Sequence, residues 1–294
     1  CLKSSSNKAS YHQRDRNFGA NVIGLMRIIL RISIGLLLCS VFSNQIFAQE
    51  SDMDDRKIRF GLLATPNLGW LRPGISEFSK DGAQTRLGFG YGMMVDYKFS
   101  ASPNYLFSTG INLTTNGGGL IEAVDSNYIG LNDTLSTLFT GTLDRTYRFQ
   151  YLNIPLLLKM RTNEIGYMTY FGAIGFDLGI RTRAFANDNF TWKQNGLTPP
   201  DEKDVNIEDQ INLFRLGINL TAGTELNLSG NTNAYFGIGW HNTFTNVFRK
   251  TTENKILVPA SDGSPSLDDN GSAIVGKNKS ASSNYISLDL GIYF

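Results

Sequence analysis

Apolar and polar residues alternate with a period of two along most of the chain. The pattern is cleanest over Ser283–Phe294, where Ile286, Leu288, Leu290, Ile292 and Phe294 alternate with Tyr285, Ser287, Asp289, Gly291 and Tyr293. A strand sends successive side chains to opposite faces, so one face of this segment is wholly apolar. The other face carries a carboxylate, a hydroxyl and a glycine. The same alternation recurs over Lys57–Leu71, Arg86–Phe99, Tyr105–Thr115, Thr146–Arg161, Gly166–Arg183, Asp209–Leu228 and Ala234–Arg249. With the last segment these make eight predicted strands. Helical periodicity is not sustained over any long stretch.

The connections alternate in length. Ser100–Asn104, Thr162–Ile165 and Ser229–Asn233 are tight and polar. Arg72–Thr85, Asn116–Arg145, Ala184–Glu208 and Lys250–Ser282 are long, and the last contains the low-complexity run Ser261–Ser272. An even strand count with short turns at one end and long loops at the other predicts an all-β fold: an eight-stranded antiparallel up-and-down transmembrane β-barrel. Both mature termini are then expected on the short-turn, periplasmic side of a cell outer membrane.

A soluble sandwich or lipocalin-like barrel would turn the apolar face inward instead. Two features weigh against it. The polar face is rich in glycine, as at Gly88, Gly90 and Gly92, which suits a narrow interior where large and small side chains alternate. Aromatic residues also sit near both ends of the apolar faces. Phe60, Tyr97, Phe99, Tyr105, Tyr170 and Phe294 lie toward one end, and Trp70, Phe89, Phe214 and Trp240 toward the other. Two such belts match the two interfaces of a bilayer.

The N-terminal segment changes the accounting. Met26 is followed by Arg27, Arg31, an apolar run over Ile32–Phe42 and a small residue at Ala48. Residues 26–48 read as a signal peptide cleaved before Gln49, residues 1–25 as an upstream extension, and residues 49–294 as the barrel domain. A membrane anchor over Ile28–Phe47 is the alternative, but Arg31, Ser33, Ser40, Ser43, Asn44 and Gln45 interrupt it. A lipoprotein site at Cys39 would follow Leu38 where a small residue is wanted. Residues 1–48 hold six of the 27 basic and one of the 26 acidic residues, which leaves 21 against 25, a net charge of −4. A mildly acidic chain without a basic run is a poor nucleic-acid binder, and none is expected as a partner. Both cysteines, Cys1 and Cys39, fall in the removed segment, and His241 is the one histidine left. That inventory excludes zinc sites built on Cys or His and Cys–His nucleophiles, so no metal and no cofactor is expected.

With the apolar face toward lipid, the inward positions include Arg59, Asp96, Lys98, Lys159, Asp177, Arg181, Arg215, Glu225, His241 and Asp289. Both signs are present and nearly balance. The interior of an eight-stranded barrel is just wide enough to be filled by side chains. A structural network of ion pairs and hydrogen bonds is therefore expected there, in preference to a narrow porin-like channel. Shear sets which carboxylate meets which base, and periodicity does not give shear. A rim-located hydrolase of the Ser–His–Asp/Glu kind would have to use His241. Ser266–Gly271 faintly resembles a calcium loop, but Ser266 and Lys277 stand where ligands belong, and it is rejected. Pro155 interrupts an otherwise apolar strand, so a bulge or a local gap in pairing is expected there.

The segment Tyr151-Leu-Asn-Ile-Pro-Leu-Leu-Leu-Lys159 resembles the corresponding strand of the PorT-like outer-membrane β-barrel proteins of Bacteroidetes. The Gly-rich strands, the Phe47-Ala48-Gln49 cleavage region and the terminal aromatic are similar to that family as well. The resemblance covers Lys57–Phe294 and implies an outer-membrane barrel. The founding member is tied to type IX secretion, but most relatives have no assigned role. A non-enzymatic membrane scaffold or loop-presenting module follows as the expectation, with an envelope or secretion-system protein as its candidate partner. Outer-membrane lipid and the periplasmic barrel-insertion machinery are the other expected partners. That machinery would read the last strand and its terminal Phe294 as an insertion signal.

Overall fold

The computed structural model describes residues 57–78, 84–99, 102, 104–129, 136–193, 200–230, 232–251 and 254–294. The upstream extension and signal peptide assigned to residues 1–48 lie outside the described residues.

Period-two segments become a closed wall because each pairs antiparallel with the next. The strands are β1 (Ile58–Pro73), β2 (Arg86–Lys98), β3 (Tyr105–Ile129), β4 (Ser136–Arg161), β5 (Met168–Trp192), β6 (Glu202–Asn206), β7 (Phe214–Ser229), β8 (Thr232–Thr243), β9 (Lys255–Leu257), β10 (Val275–Asn278) and β11 (Ala281–Tyr293). Eight of them form the ring β1-β2-β3-β4-β5-β7-β8-β11, and β11 returns to β1 with Leu62 opposite Ile292 and Leu68 opposite Ile286. Closure leaves no free edge in this part of the wall. The strand β6 adds to the outer part of β5, and β9 and β10 make a separate small hairpin.

The exposure pattern is inside-out relative to a soluble protein. Leu62, Leu87, Tyr91, Ile111, Phe176, Ile238 and Ile286 are exposed, whereas Asp96, Lys159, Arg215 and Glu225 are buried. A continuous exposed apolar surface of this kind meets lipid. Phe60, Tyr97, Phe99, Tyr105, Tyr170 and Phe294 are exposed at the short-turn end, and Phe89, Phe214 and Trp240 toward the other; Trp70 is half-buried.

Proline disturbs the wall where it removes a ladder donor. Between β3 and β4 the register passes from Thr109–Leu156 to Asn112–Asn153, so pairing lapses at Pro155, while β5 still pairs it with Asp177. Pro66, which the sequence reading passed over, does the same on β1. There the β11 register jumps from Ala64–Leu290 to Asn67–Ser287, and β2 still pairs Pro66 with Phe89. Each proline keeps one neighbour and loses the other.

The long connections differ from expectation. Asn116–Arg145 is mostly not a loop: β3 and β4 run 25 and 26 residues and stay paired from Tyr105–Met160 out to Ile129–Ser136. A strand of about 10 residues crosses a membrane, so this hairpin stands well beyond it. Beyond the bilayer nothing requires an apolar outward face, and the alternation that reveals a membrane strand fades. Close approach replaces it as the constraint. A Cβ at Gly118 would lie 2.7 Å from the Leu71 nitrogen, so glycine lets β1 cross against β3 above the start of β2.

Within Ala184–Glu208, β5 continues to Trp192. Its register against β4 shifts between Gln150 and Tyr151, with Gln150 opposite Arg183 and Tyr151 opposite Arg181. Thr182 is the extra residue of a bulge, and its hydroxyl donates to the Gln150 carbonyl at 3.1 Å. The bulge switches the inward parity of β5 from odd, as at Ala173 and Asp177, to even, as at Ala184, Ala186 and Asp188. A strict period-two reading ends where the bulge begins. Asp209, expected to start a strand, lies in a short 3-10 turn, and β7 starts at Phe214. The strand β8 ends at Thr243 and not Arg249, because Val247 and Phe248 turn into the barrel mouth, where both are buried.

Candidate functional site

The lumen is filled in three layers, and the inner face of β4 contributes to all of them. Lys159 lies at the short-turn end, Asn153 and Tyr151 in the middle, and Tyr147 and Phe149 under the loops.

The short-turn layer is an ion-pair cluster. Lys159 Nζ donates to Asp96 Oδ2 at 2.9 Å, to Glu225 Oε1 at 2.5 Å and to the Tyr293 hydroxyl at 3.1 Å. An ammonium has three donors, and all are used. Arg59 bridges the same carboxylates, with Nη1 on Glu225 Oε2 and Nη2 on Asp96 Oδ2, each at 2.9 Å. Ser108 donates to the remaining Asp96 oxygen at 2.6 Å. Aromatic faces surround the ammonium: the ring centroids of Phe171, Tyr235 and Tyr293 lie 4.7–5.0 Å from Lys159 Nζ. Lys159, Asp96 and Glu225 are buried and Arg59 is half-buried, and the two cations and two carboxylates neutralise one another.

The middle layer is a hydrogen-bonded network. His241 Nδ1 meets Asp177 Oδ2 at 2.6 Å, and Nε2 meets Ser287 Oγ at 3.2 Å. Asn219 donates to Asp177 Oδ1 at 3.2 Å, and Tyr285 stacks on the imidazole at a centroid distance of 4.0 Å. Arg215 donates to Asn153 Oδ1 at 2.8 Å and lies 4.1 Å from the centre of the Tyr151 ring. Asp289 lies beside Ser287 and His241, facing Gly239.

The outer layer is apolar. Leu71 and Phe78 from β1 and its loop, Leu120 from β3, Tyr147 and Phe149 from β4, and Ala184 and Ala186 from β5 form one buried cluster. The outer segments complete it with Ile207, Ile211, Val247, Phe248 and Ile256. Tyr147 packs edge-on to Phe248 at 5.4 Å. The loops therefore close the mouth with a hydrophobic plug.

Two inward-facing ion pairs adjoin the plug. Arg145 holds Asp188 through two bonds of 2.6 and 2.7 Å, and Lys279 donates to Glu122 at 2.6 Å. The sequence reading missed both, because Glu122, Arg145 and Asp188 stand on the strand extensions it took for loops, and Lys279 lies in the connection before β11.

The ten inward residues separate into groups. Arg59, Asp96, Lys159 and Glu225 form one cluster, and Asp177, Arg215, His241 and Asp289 share the middle layer. Lys98 is half-buried at the short-turn mouth, and Arg181 lies near the loops, 3.7 Å from Glu208. Phe294 points outward, its N–H donating to the Phe60 carbonyl at 2.9 Å.

A sequence model of the outer membrane protein beta-barrel domain matches residues 47–292. The chain belongs to that family. Among solved structures, this outer-membrane barrel is similar to Neisserial surface protein A, at 8% identity and a TM-score of 0.34 over 80% of this chain and 95% of that one. It is similar to the outer membrane protease OmpT from Escherichia coli, at 9% identity and 0.37 over 84% and 98%. The third is the outer membrane protein OprG from Pseudomonas aeruginosa, at 11% identity and 0.34 over 82% and 98%. At such values these likenesses carry nothing about what the barrel binds or does. No curated protein matches it significantly.

Chemically, the barrel's middle layer has the order carboxylate, imidazole, hydroxyl of a serine hydrolase. Ser287 is 1% exposed and lies between the plug and the aromatic floor of Phe171, Tyr235 and Tyr293. Among the described residues no group of three or more His, Cys, Asp or Glu could hold a metal ion.

Proposed function

We propose that this outer-membrane barrel is a non-enzymatic scaffold with a sealed lumen. Its short-turn end and both mature termini face the periplasm, and its outer head is presented to a partner protein of an envelope or secretion assembly. The observation that carries the proposal is the apolar plug: Phe78, Tyr147, Phe149 and Phe248 close the loop end above two polar layers. A barrel built to conduct leaves a polar path through its loops. A barrel built to display keeps its lumen rigid and extends its wall outward, as the β3–β4 hairpin does here. The Tyr151–Lys159 segment supports a place among PorT-like barrels of Bacteroidetes and directs the search for a partner toward secretion machinery. Phe294, outward at the end of the last strand, is proposed as the group that periplasmic insertion machinery reads.

Reconstitution in planar bilayers tests the seal, and mild detergent extraction followed by co-purification tests the display. No steady conductance is expected from the intact chain. A defined envelope protein is expected to co-purify with it, and not with a variant whose β3–β4 hairpin is cut back to the membrane surface. Steady single-channel conductance from the unmodified protein would overturn the reading. So would hydrolytic activity abolished by His241→Ala.

A further inference from the structure

Toward the loop end, the apolar outward face stops at one level on β2, β4 and β5. Leu87 is exposed on β2, and Arg86 comes directly before it. On β4 the outward series runs Leu152, Gln150, Arg148, and on β5 it runs from Ile180 past the bulge to Arg183. Register makes these one row. Arg148 pairs with Gly117 on β3 and with Phe185 on β5, and Arg183 pairs with Gln150. Arg148 and Arg183 are thus diagonal neighbours on the outer surface, a spacing of about 7–8 Å. Arg86 reaches the row across β3. A Cβ at Gly117 would stand 3.2 Å from Arg86 Cδ, so the glycine leaves the bed in which that side chain lies.

Three guanidinium groups therefore stand along the top of the lipid-facing wall. The charges acting on Arg86 are Arg148, which repels it, and Asp204, which attracts it. Asp204 accepts from Arg148 Nη2 at 2.8 Å, and the Arg148 guanidinium lies 5.2 Å from the centre of the Phe185 ring. Arg86 Nε is buried without an acceptor, so the protein itself does not satisfy this guanidinium, and Arg183 is exposed. Beside Asp204 on β6, the exposed Glu202 and Lys203 cancel. Among the described residues of the row, the three arginines face one carboxylate, Asp204, which leaves a double positive excess. A phosphate monoester carries about two negative charges at neutral pH and presents three acceptor oxygens. Arginine matches such a group with paired, charge-assisted hydrogen bonds. Exposed Leu87, Phe89 and Ile180 lie directly below the row. A ligand that puts phosphate on the arginines can therefore lay apolar chains on the wall.

We propose that this row binds the phosphate monoester headgroup of a membrane lipid. Arg86, Arg148 and Arg183 hold the phosphate oxygens, and the acyl chains lie against Leu87, Phe89 and Ile180. Headgroups reach this level because the apolar face ends here, and a cationic row at the surface of a bilayer attracts anionic lipid. A free phosphate would use the arginines and leave the wall beneath them idle. Which leaflet supplies the lipid rests on the orientation proposed above; the chemistry of the row does not depend on it.

The test uses the full barrel refolded in detergent micelles and titrated with lipid under native mass spectrometry. The probes are dioleoyl phosphatidic acid, dioleoyl phosphatidylcholine and inorganic phosphate. Phosphatidic acid is expected to bind about tenfold more tightly than phosphatidylcholine, which has the same chains and no net charge, and to weaken with added salt. Inorganic phosphate at the same concentration is expected not to displace it. Changing Arg86, Arg148 and Arg183 together to Gln should lose about tenfold for phosphatidic acid and nothing for phosphatidylcholine, with heat-modifiable gel migration unchanged. If that variant fails to fold, Arg183→Gln alone, at an exposed side chain, should still lose about threefold. Equal binding of the two lipids would overturn the proposal. So would undiminished binding of phosphatidic acid by the folded variant, which would mean an unspecific lipid coat, or displacement by inorganic phosphate, which would mean that the chains play no part. Binding in micelles is independent of conductance, of orientation and of partner capture, so failure here is separate from failure of the scaffold reading.

Discussion

Lys159 and Glu225, 66 residues apart in the chain, meet with Nζ donating to Oε1 at 2.5 Å, and each side chain is 2% exposed. Across the same cluster Asp96 accepts from both Lys159 and Arg59. Removing one member leaves the others buried and unbalanced.

Lys159→Met is expected to destabilise the barrel by roughly 3–5 kcal/mol, the usual consequence of stripping one partner from a buried ionic group. Adding Asp96→Asn should recover much of the loss, because Arg59 then faces Glu225 alone and the charges balance again. Denaturant unfolding in detergent measures both. A double variant as unstable as the single one would show that the cluster's charges are not coupled.

Deleting Thr182 removes the bulge and extends odd parity along β5. Ala184, Ala186 and Asp188 would then turn outward and Arg145 would lose its two bonds to Asp188. A loss of more than about 3 kcal/mol is expected from the orphaned ion pair alone, with the plug disrupted as well. Replacing Thr182 by Val, which keeps the residue count, should cost far less. Comparable damage from both changes would refute the parity argument.

Phe248→Ala empties a fully buried site against Phe78 and Tyr147. A cost of about 3–5 kcal/mol is expected, confined to the outer head. Limited proteolysis should cut the 244–282 segment faster while the membrane wall stays resistant. Equal sensitivity of the wall and the head would contradict the layered description.

Ser287 should not react with a fluorophosphonate probe in the folded barrel, despite its 3.2 Å contact with His241 Nε2, because no reagent of that size reaches a side chain 1% exposed. Labelling of the folded protein that Ser287→Ala abolishes would reopen the hydrolase reading.

Outside the membrane, Lys193 and then the Ser264 hydroxyl and N–H hold the Asp262 carboxyl below its ordinary value of 3.8. A depressed carboxylate stabilises the fold above its unfolded value, and that contribution is lost as pH falls toward the folded value. The tie between the end of β5 and this loop should therefore hold from neutral pH down to about 4 and loosen below it. Amide exchange at Ser264 reads the change directly. Lys193→Gln should move the onset to higher pH; an unchanged profile would refute the assignment. The pair is exposed on both sides, so global stability should barely respond.

Eight segments, their faces and the lipid-ward direction are legible in the amino-acid sequence. A membrane strand must alternate, and Ile286 to Phe294 or Leu87 to Phe99 alternate without a break. The inward identity of Arg59, Asp96, Lys159 and Glu225 followed from parity alone. What blurred the reading was every place where alternation is not required or is interrupted: the β3–β4 hairpin beyond the bilayer, the bulge at Thr182, and Val247–Phe248 folding into the mouth.

The sequence by itself determined which residues face lipid and which face the lumen, because a pleated strand allows only two sides. It also placed the pairing gap at Pro155, because proline lacks the donor. Only the tertiary structure decided that Lys159 meets Asp96 and Glu225 while His241 meets Asp177. Those partners depend on strand stagger, a property of the closed ring that no single strand carries. It alone decided, too, that the loop end is shut by an apolar plug. Phe78, Phe149 and Phe248 come from distant segments whose shared burial exists only once the wall has closed around them.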